Sequence, residues 1–341
     1  MRALIAMSGG VDSSVAALLA MEQGLDCIGG TMHLHDTACA VDAAAVAQRL
    51  GIPFYEFDCT DAFQKHVKDY FVRCYEEGGT PNPCIECNHH LKFGRLQEIA
   101  RELDCQYVVT GHYAQIEFDA AKNRYLLKKA ADEAKDQSYF LCRLTQQQLA
   151  HTLFPLGELT KAQARQLAEN NGFINAKKRD SQDICFVPDG DYMAFLQEYT
   201  QKCYPSGDFL DESGRIVGKH QGAVAYTIGQ RKGLGLAMGT PVYVCAKDMA
   251  ANTVTVGANE TLFSRELVAD DWNWISIDPP QEPLRCKAKA RSRMSEQNAT
   301  VYPLENGQAR VVFDEPQRAI TPGQSVVLYD NDIVIGGATI L

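Results

Sequence analysis

Apolar residues gather in short blocks along the first half of the chain. Residues 3–7 (ALIAM) form a run of strand length, and residues 12–23 (DSSVAALLAMEQ) continue with helical spacing up to Gly24. A glycine just past the last periodic residue is a common helix stop. The same pattern predicts a strand over 25–32, a helix over 41–51, a strand over 53–58 and a helix from about 61 to 76. A helix over 91–103 leads into a strand at 106–110 (QYVVT), then Gly111-His112, and further helices are expected at 145–150, 160–171 and 190–200. Strands alternating with helices predict a Rossmann-like α/β domain, with a parallel sheet covered on both faces.

The texture changes after about residue 203. Gly and Pro recur, and the runs AVAYTI, PVYVCAK, TVTVG, RCKAKARSR, ARVVFD, SVVLYD and IVIGGATIL replace helical spacing. This is the pattern of small β domains, the last expected to be a barrel. The expected division is 1–200, 201–265 and 266–341, with no internal repeat and no low-complexity linker.

Composition adds limits. Hydrophobic content of 45% and charged content of 22% over 341 residues are those of a globular chain, which excludes disorder, collagen and coiled coil. No apolar run approaches the roughly 20 residues that span a bilayer. A net charge of −10 argues against non-specific coating of nucleic acid but leaves room for a local basic patch. Twelve cysteines, in a chain of this size without a secretory leader, point to a reducing cytoplasm rather than a disulfide framework.

The strongest chemical signal is Ser8-Gly9-Gly10-Val11-Asp12-Ser13-Ser14 between the first strand and helix. The glycines let the backbone approach a ligand, and the helix N-terminus offers unpaired N–H groups to an anion. It is not a Walker A loop, because Gly-Lys-Ser/Thr is missing. A plain turn with an Asp or Ser cap is the bland alternative. The string resembles the PP-loop of ATP pyrophosphatases, which split ATP to AMP and pyrophosphate. That resemblance implies that Asp12 helps hold Mg²⁺ and that Ser8 to Ser13 grip the pyrophosphate.

Two cysteine settings stand apart. Cys84 and Cys87 lie in TPNPCIECN, expected as a loop before a helix from about 89, and Cys185 lies in SQDICF after the basic run 177–179. A helix N-terminus or nearby positive charge lowers a thiol pKa. A C-x-x-C pair is also compatible with redox, zinc or iron–sulfur chemistry. Cys27, Cys59, Cys105, Cys142 and Cys245 read as small core residues. His33 and His35 read as rim residues near the nucleotide, and His89 and His90 as helix-surface residues.

SGGVDSS, TPNPCxxCNxxLKFG, GHYA, KDQSYFL, SQDICF, YTIGQRKGLG and FDEPQRAITPGQS occur in that order, between residues 6 and 325. Together they resemble the tRNA-specific 2-thiouridylase family of the PP-loop superfamily. The resemblance implies ATP-dependent adenylation of the C2 oxygen of a wobble uridine, then transfer of a persulfide sulfur to C2. It assigns Cys87 as nucleophile and Cys185 as persulfide carrier, able to end as a disulfide. It matches Ala6, Met7, Ser8, Gly9, Gly10, Val11, Asp12, Ser13, Met32 and Gly111 to ATP, and Asn82, Pro83 and Cys84 to the target base. It matches His112, Lys135, Asp136, Gln137, Arg291, Ser292 and Gln324 to tRNA. The implied partners are tRNAs for Lys, Glu and Gln, and a sulfur-relay protein or cysteine desulfurase, with no membrane. Two departures stand out: Cys84 replaces a usual Asp, and Ser292 a usual Tyr. The first raises the alternative that Cys84, Cys87 and Cys185 ligate an iron–sulfur cluster.

An acidic protein that holds RNA needs a local basic surface. Arg285, Lys287, Lys289, Arg291 and Arg293 fall at every second position, so in a strand they share one face. The alternative is a sheet edge protected by charge. Gln230-Arg231-Lys232-Gly233-Leu234-Gly235 is a second basic candidate, and Asp136 could equally be an ordinary cap. Rival functions are a PP-loop ligase or amidotransferase acting on a small acid, and a non-catalytic RNA-binding protein.

Overall fold

The computed structural model describes residues 1–34, 38–178 and 184–341. Arg2–Ala6 is the middle strand of a five-stranded parallel sheet. On one side lie Asp26–His33 and then Phe54–Asp58, and on the other Tyr107–Val109 and then Thr152–Leu153. Chain order therefore reverses between Arg2–Ala6 and Tyr107–Val109. Open α/β sheets bind ligands in the crevice at the carboxyl ends of such a pair.

The apolar run ALIAM reads as continuous because both faces are covered. Ala3 and Ile5 face a core built with helices Val11–Glu22, Ala38–Leu50 and Lys161–Asn170. Leu4 faces the other way, onto Cys59, Phe63, Leu91, Leu96 and Ile99. The helical elements of that second face are Thr60–Phe63, Cys87–Arg95 and Leu96–Glu102.

Strands Gly207–Leu210, Ile216–His220, Tyr243–Asp248 and Thr253–Gly257 form a separate four-stranded sheet. The run AVAYTI, expected as a strand, is instead a 3₁₀ turn at Ala223–Ala225. Gly222 precedes it at φ 111°, and the Ala223 N–H donates to Asn252 Oδ1 rather than to a ladder.

The C-terminal part is a closed antiparallel barrel of six strands. Phe263–Trp274, Ala309–Arg318, Gln297–Pro303, Leu284–Lys289, Ser325–Asp330 and Ile333–Ile340 are neighbours in that order, and the last pairs back with the first. Small inward residues, among them Ala288, Ala299 and Ala338, suit the narrow interior. A hairpin of Gln115–Asp119 and Arg124–Lys128, not anticipated from sequence, joins the outside of this barrel through Lys128 opposite Ile333. The N-terminal part thus shares a sheet with the C-terminal barrel.

Candidate active site

The phosphate-loop string leaves the middle strand at Met7 and enters helix Val11–Glu22. Gly9 sits at φ 68°, a conformation that glycine adopts without a Cβ penalty. The loop is braced from within. Ser13 Oγ donates to Gly10 O at 3.0 Å and accepts from Ser8 N at 3.2 Å, and Ser14 Oγ donates to Gly10 O at 3.0 Å. It is also braced from outside. Asn175 Nδ2 donates to Gly9 O at 3.2 Å and Ser14 Oγ at 2.9 Å, and Lys178 Nζ reaches Gly9 O at 3.3 Å. Gly111 closes the neighbouring strand end against the same helix: a Cβ there would lie 2.6 Å from Asp12 C and 2.7 Å from Ser13 N. The predicted residues Ala6 to Ser13 and Gly111 therefore meet at one crevice. Met32 lies half-buried on the adjacent strand.

Asp12 stands in the first turn of that helix, where a carboxylate complements the helix dipole. Its oxygens accept from Tyr113 Oη at 2.9 Å and from Lys161 Nζ at 2.8 and 2.7 Å. Lys161 was missed by the sequence reading. It lies 149 residues away and opens another helix, whose capping box of Thr160 and Gln163 was the only local signal. Tyr113 is held in turn by Gln137, whose side chain accepts from Tyr113 N at 2.9 Å.

The helix carrying the thiols begins at Pro83, not near 89, because Asn82 leaves the extended approach and Pro83 sets the first turn. Cys84 is therefore in the first turn and Cys87 a turn further in, so Cys87 does not sit at the helix end as expected. Cys84 and Cys185 are exposed, while Cys87 is buried beneath them at 9% exposure. Burial raises all three thiols, Cys87 to about 12, and each also feels another of the three or Lys92. Phe186 fixes the Cys185 segment by packing on Phe63, Phe71 and Phe195 at 5.1–5.6 Å between ring centroids. Ser181, Gln182, Asp183, Arg179 and His35 lie outside the described residues. Among the described residues no three His, Cys, Asp or Glu side chains group closely enough to hold a metal ion.

Cys27, Cys59, Cys105 and Cys142 are buried and Cys245 is half-buried, as core residues would be. His33 Nε2 lies 2.5 Å from Glu56 Oε2 on the neighbouring strand.

Most of the residues matched to tRNA already do internal work. His112 is buried between Phe93 and Phe154, with Nδ1 2.7 Å from Thr110 Oγ1, and burial holds its pKa well below the ordinary range. Asp136 accepts from Ala130 N at 3.0 Å and from Ser138 Oγ at 2.8 Å, so it does act as a turn cap; Lys135 precedes it. Gln324 Nε2 donates to Thr80 O at 2.8 Å and Pro81 O at 3.3 Å, which ties the barrel to the segment leading into Asn82 and Pro83. Arg291 is half-buried and donates to Thr321 Oγ1 and Ile228 O, and Ser292 beside it is also half-buried.

The basic strand keeps its expected alternation. Cys286, Ala288 and Ala290 are buried, whereas Arg285, Lys287 and Arg293 are exposed. It is not a sheet edge, since Leu284–Lys289 pairs on both sides. The row divides in use: Arg285 holds Asp314, Lys289 lies over the Tyr139 and Tyr329 rings, and Lys287 makes no ion pair among the described residues. Arg231 and Lys232 are exposed on their loop.

Comparison with known proteins gives three consecutive family matches. They are described as a tRNA methyl transferase HUP domain over 1–189, a tRNA methyl transferase PRC-barrel domain over 193–258 and an aminomethyltransferase beta-barrel domain over 264–340. The chain is 49% identical to the tRNA-specific 2-thiouridylase MnmA of Acetivibrio thermocellus, covering 99% of each chain. It is 48% identical to that of Clostridioides difficile, covering 99% of this chain and 98% of the relative. Among solved structures, a 4-thiouridine synthetase–RNA complex with bound ATP aligns over 59% of this chain and 50% of that one, at 18% identity and TM-score 0.34.

Proposed function

We infer that this chain, which belongs to the tRNA-specific 2-thiouridylase (MnmA) family, is a tRNA uridine 2-sulfurtransferase that replaces the C2 oxygen of a wobble uridine with sulfur, using ATP. The observation that carries this reading is the meeting of two sites. Cys87 packs in one apolar cluster with Ala6 and Met32, which border the phosphate loop, and with Phe186, which anchors Cys185. A ligase acting on a small acid has no need of thiols there.

The chemistry runs in balanced steps. The C2 oxygen attacks the α-phosphorus of ATP, an O–P bond forms and pyrophosphate leaves. The terminal sulfur of a Cys185 persulfide attacks C2, and AMP leaves with the former uridine oxygen. The Cys87 thiolate then attacks Cys185 Sγ and the S–S bond breaks towards the base. This leaves 2-thiouridine and a Cys87–Cys185 disulfide. The transferred sulfur gains two electrons, the two cysteines lose two, and an external dithiol restores them. Activation is needed because an oxygen on the base is a poor leaving group, and a sulfur anion is a strong nucleophile near neutral pH. The base must leave the anticodon stack to reach Asn82, Pro83 and Cys84.

Asp12 is the carboxylate suited to the Mg²⁺ that accompanies ATP, since one carboxylate plus substrate phosphates is an ordinary donor set for that ion. Bound there, Mg²⁺ would supply neutralisation of phosphate charge. Lys161 neutralises Asp12 before nucleotide arrives. Residues 1–200 would perform catalysis, 201–265 connect, and 266–341 contact tRNA through the exposed Lys287 and Arg293. The tRNAs for Lys, Glu and Gln as substrates, a persulfide-bearing relay protein or desulfurase as donor, and a cytoplasmic setting complete the reading. Among the described residues no helix is long and apolar enough to cross a membrane.

The test is pyrophosphate release and base thiolation by the wild type, Cys87→Ser and Cys185→Ser, each with and without tRNA. Release should require tRNA in all three, and thiolation should appear in the wild type alone. Thiolation by either variant would refute the cysteine roles. Release that ignores tRNA would restore the ligase reading.

A further inference from the structure

Lys92 has no part in the steps above, yet its position is unusual. The segment Cys87–Arg95 winds as a π-helix. In an α-helix five residues turn about 500°, which would leave Lys92 about 140° round the axis from Cys87. The i→i+5 closure of a π-helix returns the fifth residue to nearly the same face, and such turns occur often at functional sites. Gly94 accommodates the wider turn, since a Cβ there would press to 3.0 Å from His89 O. Lys92 is half-buried between the fully buried Leu91 and Phe93.

Among the described residues no carboxylate pairs with it. Lys161, Lys178, Lys128, Lys129, Lys202 and Lys219 each reach a carboxylate. Lys92 makes neither an ion pair nor a hydrogen bond among the described residues. The groups around it come from four elements: Cys84 on helix Pro83–Glu86, Cys87 on its own helix, Cys185 on the segment after residue 184, and His112 after strand Tyr107–Val109. Cys59, at the N-cap of helix Thr60–Phe63, also acts on Cys87, and burial keeps it a neutral thiol. Arg95, on the same helix, is engaged by Glu98 and Glu102. His112 is kept neutral by burial. A half-buried ammonium without a counter-charge pays desolvation that an arriving anion relieves.

We propose that Lys92 is the charge-stabilising residue of sulfur transfer, holding the negative charge of the Cys87 thiolate and of the sulfur carried on Cys185. The proposal rests on reading the three-cysteine recess as the sulfur-transfer site. The proton of each thiol leaves to solvent through the open side where Cys84 and Cys185 are exposed. Without the ammonium, burial and the neighbouring thiols, which both oppose ionisation, lose their main counterweight, so thiol ionisation moves to higher pH.

The experiment is residue-resolved alkylation of Cys87 and Cys185 by iodoacetamide over a pH series, read by peptide mass spectrometry. The full chain is used as wild type, Lys92→Met, Lys92→Gln and Lys92→Arg, with circular dichroism to verify folding. Loss of the cation should move both alkylation profiles up by about one pH unit, which is about a tenfold slower reaction at fixed pH. Lys92→Arg should restore most of the difference, which a purely structural role for the side chain would not do. Profiles of folded Lys92→Gln or Lys92→Met that superimpose on the wild type would overturn the proposal. No tRNA or ATP enters the assay, so its outcome is separate from that of the thiolation reading.

Discussion

Replacing Gly111 by alanine tests the nucleotide crevice with one methyl group. The added Cβ would stand 2.6 Å from Asp12 C, 2.7 Å from Ser13 N and 2.9 Å from Asp12 Cβ. Two of these atoms are backbone and the third is fixed to it, so no side-chain rotation relieves the contact. Ordinary van der Waals contact begins near 3.4 Å, so the strand end and the helix N-terminus must separate by about 0.8 Å. Overpacking of this kind costs about 1–3 kcal/mol of stability. The larger effect falls on the nucleotide, because the helix N-terminus that binds phosphate is the part displaced. A misplacement near 1 Å can lower a rate by about 100-fold. The expected result is a folded protein whose kcat/KM for ATP, measured by tRNA-dependent pyrophosphate release, falls by roughly 10- to 100-fold. An unchanged kcat/KM would refute the assignment of this crevice to the phosphates.

Lys161→Met leaves the Asp12 carboxylate accepting from Tyr113 Oη without its ammonium partner and should destabilise the fold by about 2–3 kcal/mol, read by urea unfolding. No change in the unfolding midpoint would show that the pair is not formed in solution. Lys287→Glu should weaken tRNA binding and reduce the slope of log K against log salt by about one, because Lys287 is an exposed cation of the basic strand with no ion pair among the described residues. Arg285→Ala should change that slope less, since Arg285 is already engaged by Asp314. Phe186→Ala removes the ring that packs on Phe63, Phe71 and Phe195, so it should speed protease cleavage around Cys185 and slow thiolation more than pyrophosphate release. Equal loss of both activities would contradict a local anchoring role.

The parallel sheet and phosphate loop were legible because their signals are local. Ala3, Leu4 and Ile5 form an apolar run that only a doubly covered strand needs, and Gly9-Gly10 interrupts it where the loop turns. The basic strand was legible for the same reason: Cys286, Ala288 and Ala290 are small and inward, with charge between them. What was not legible depends on distant partners. The hairpin Gln115–Lys128 is a strand pair completed by Ile333, and the Asp12–Lys161 pair spans 149 residues. The π register of Cys87–Arg95, which decides the face Lys92 occupies, has no signature in apolar periodicity. His112 was matched to tRNA by the family motif, and nothing local to Gly111-His112 signals that Phe93 and Phe154 enclose its ring.

The most direct test of the central claim is nucleoside mass spectrometry of unmodified tRNA after incubation with this protein, Mg-ATP and a persulfide sulfur source, performed anaerobically. Sulfur should replace oxygen in the wobble uridine only when ATP and an intact Cys185 are both present. A wobble uridine left unthiolated under those conditions, with neither AMP nor pyrophosphate formed, would contradict the claim.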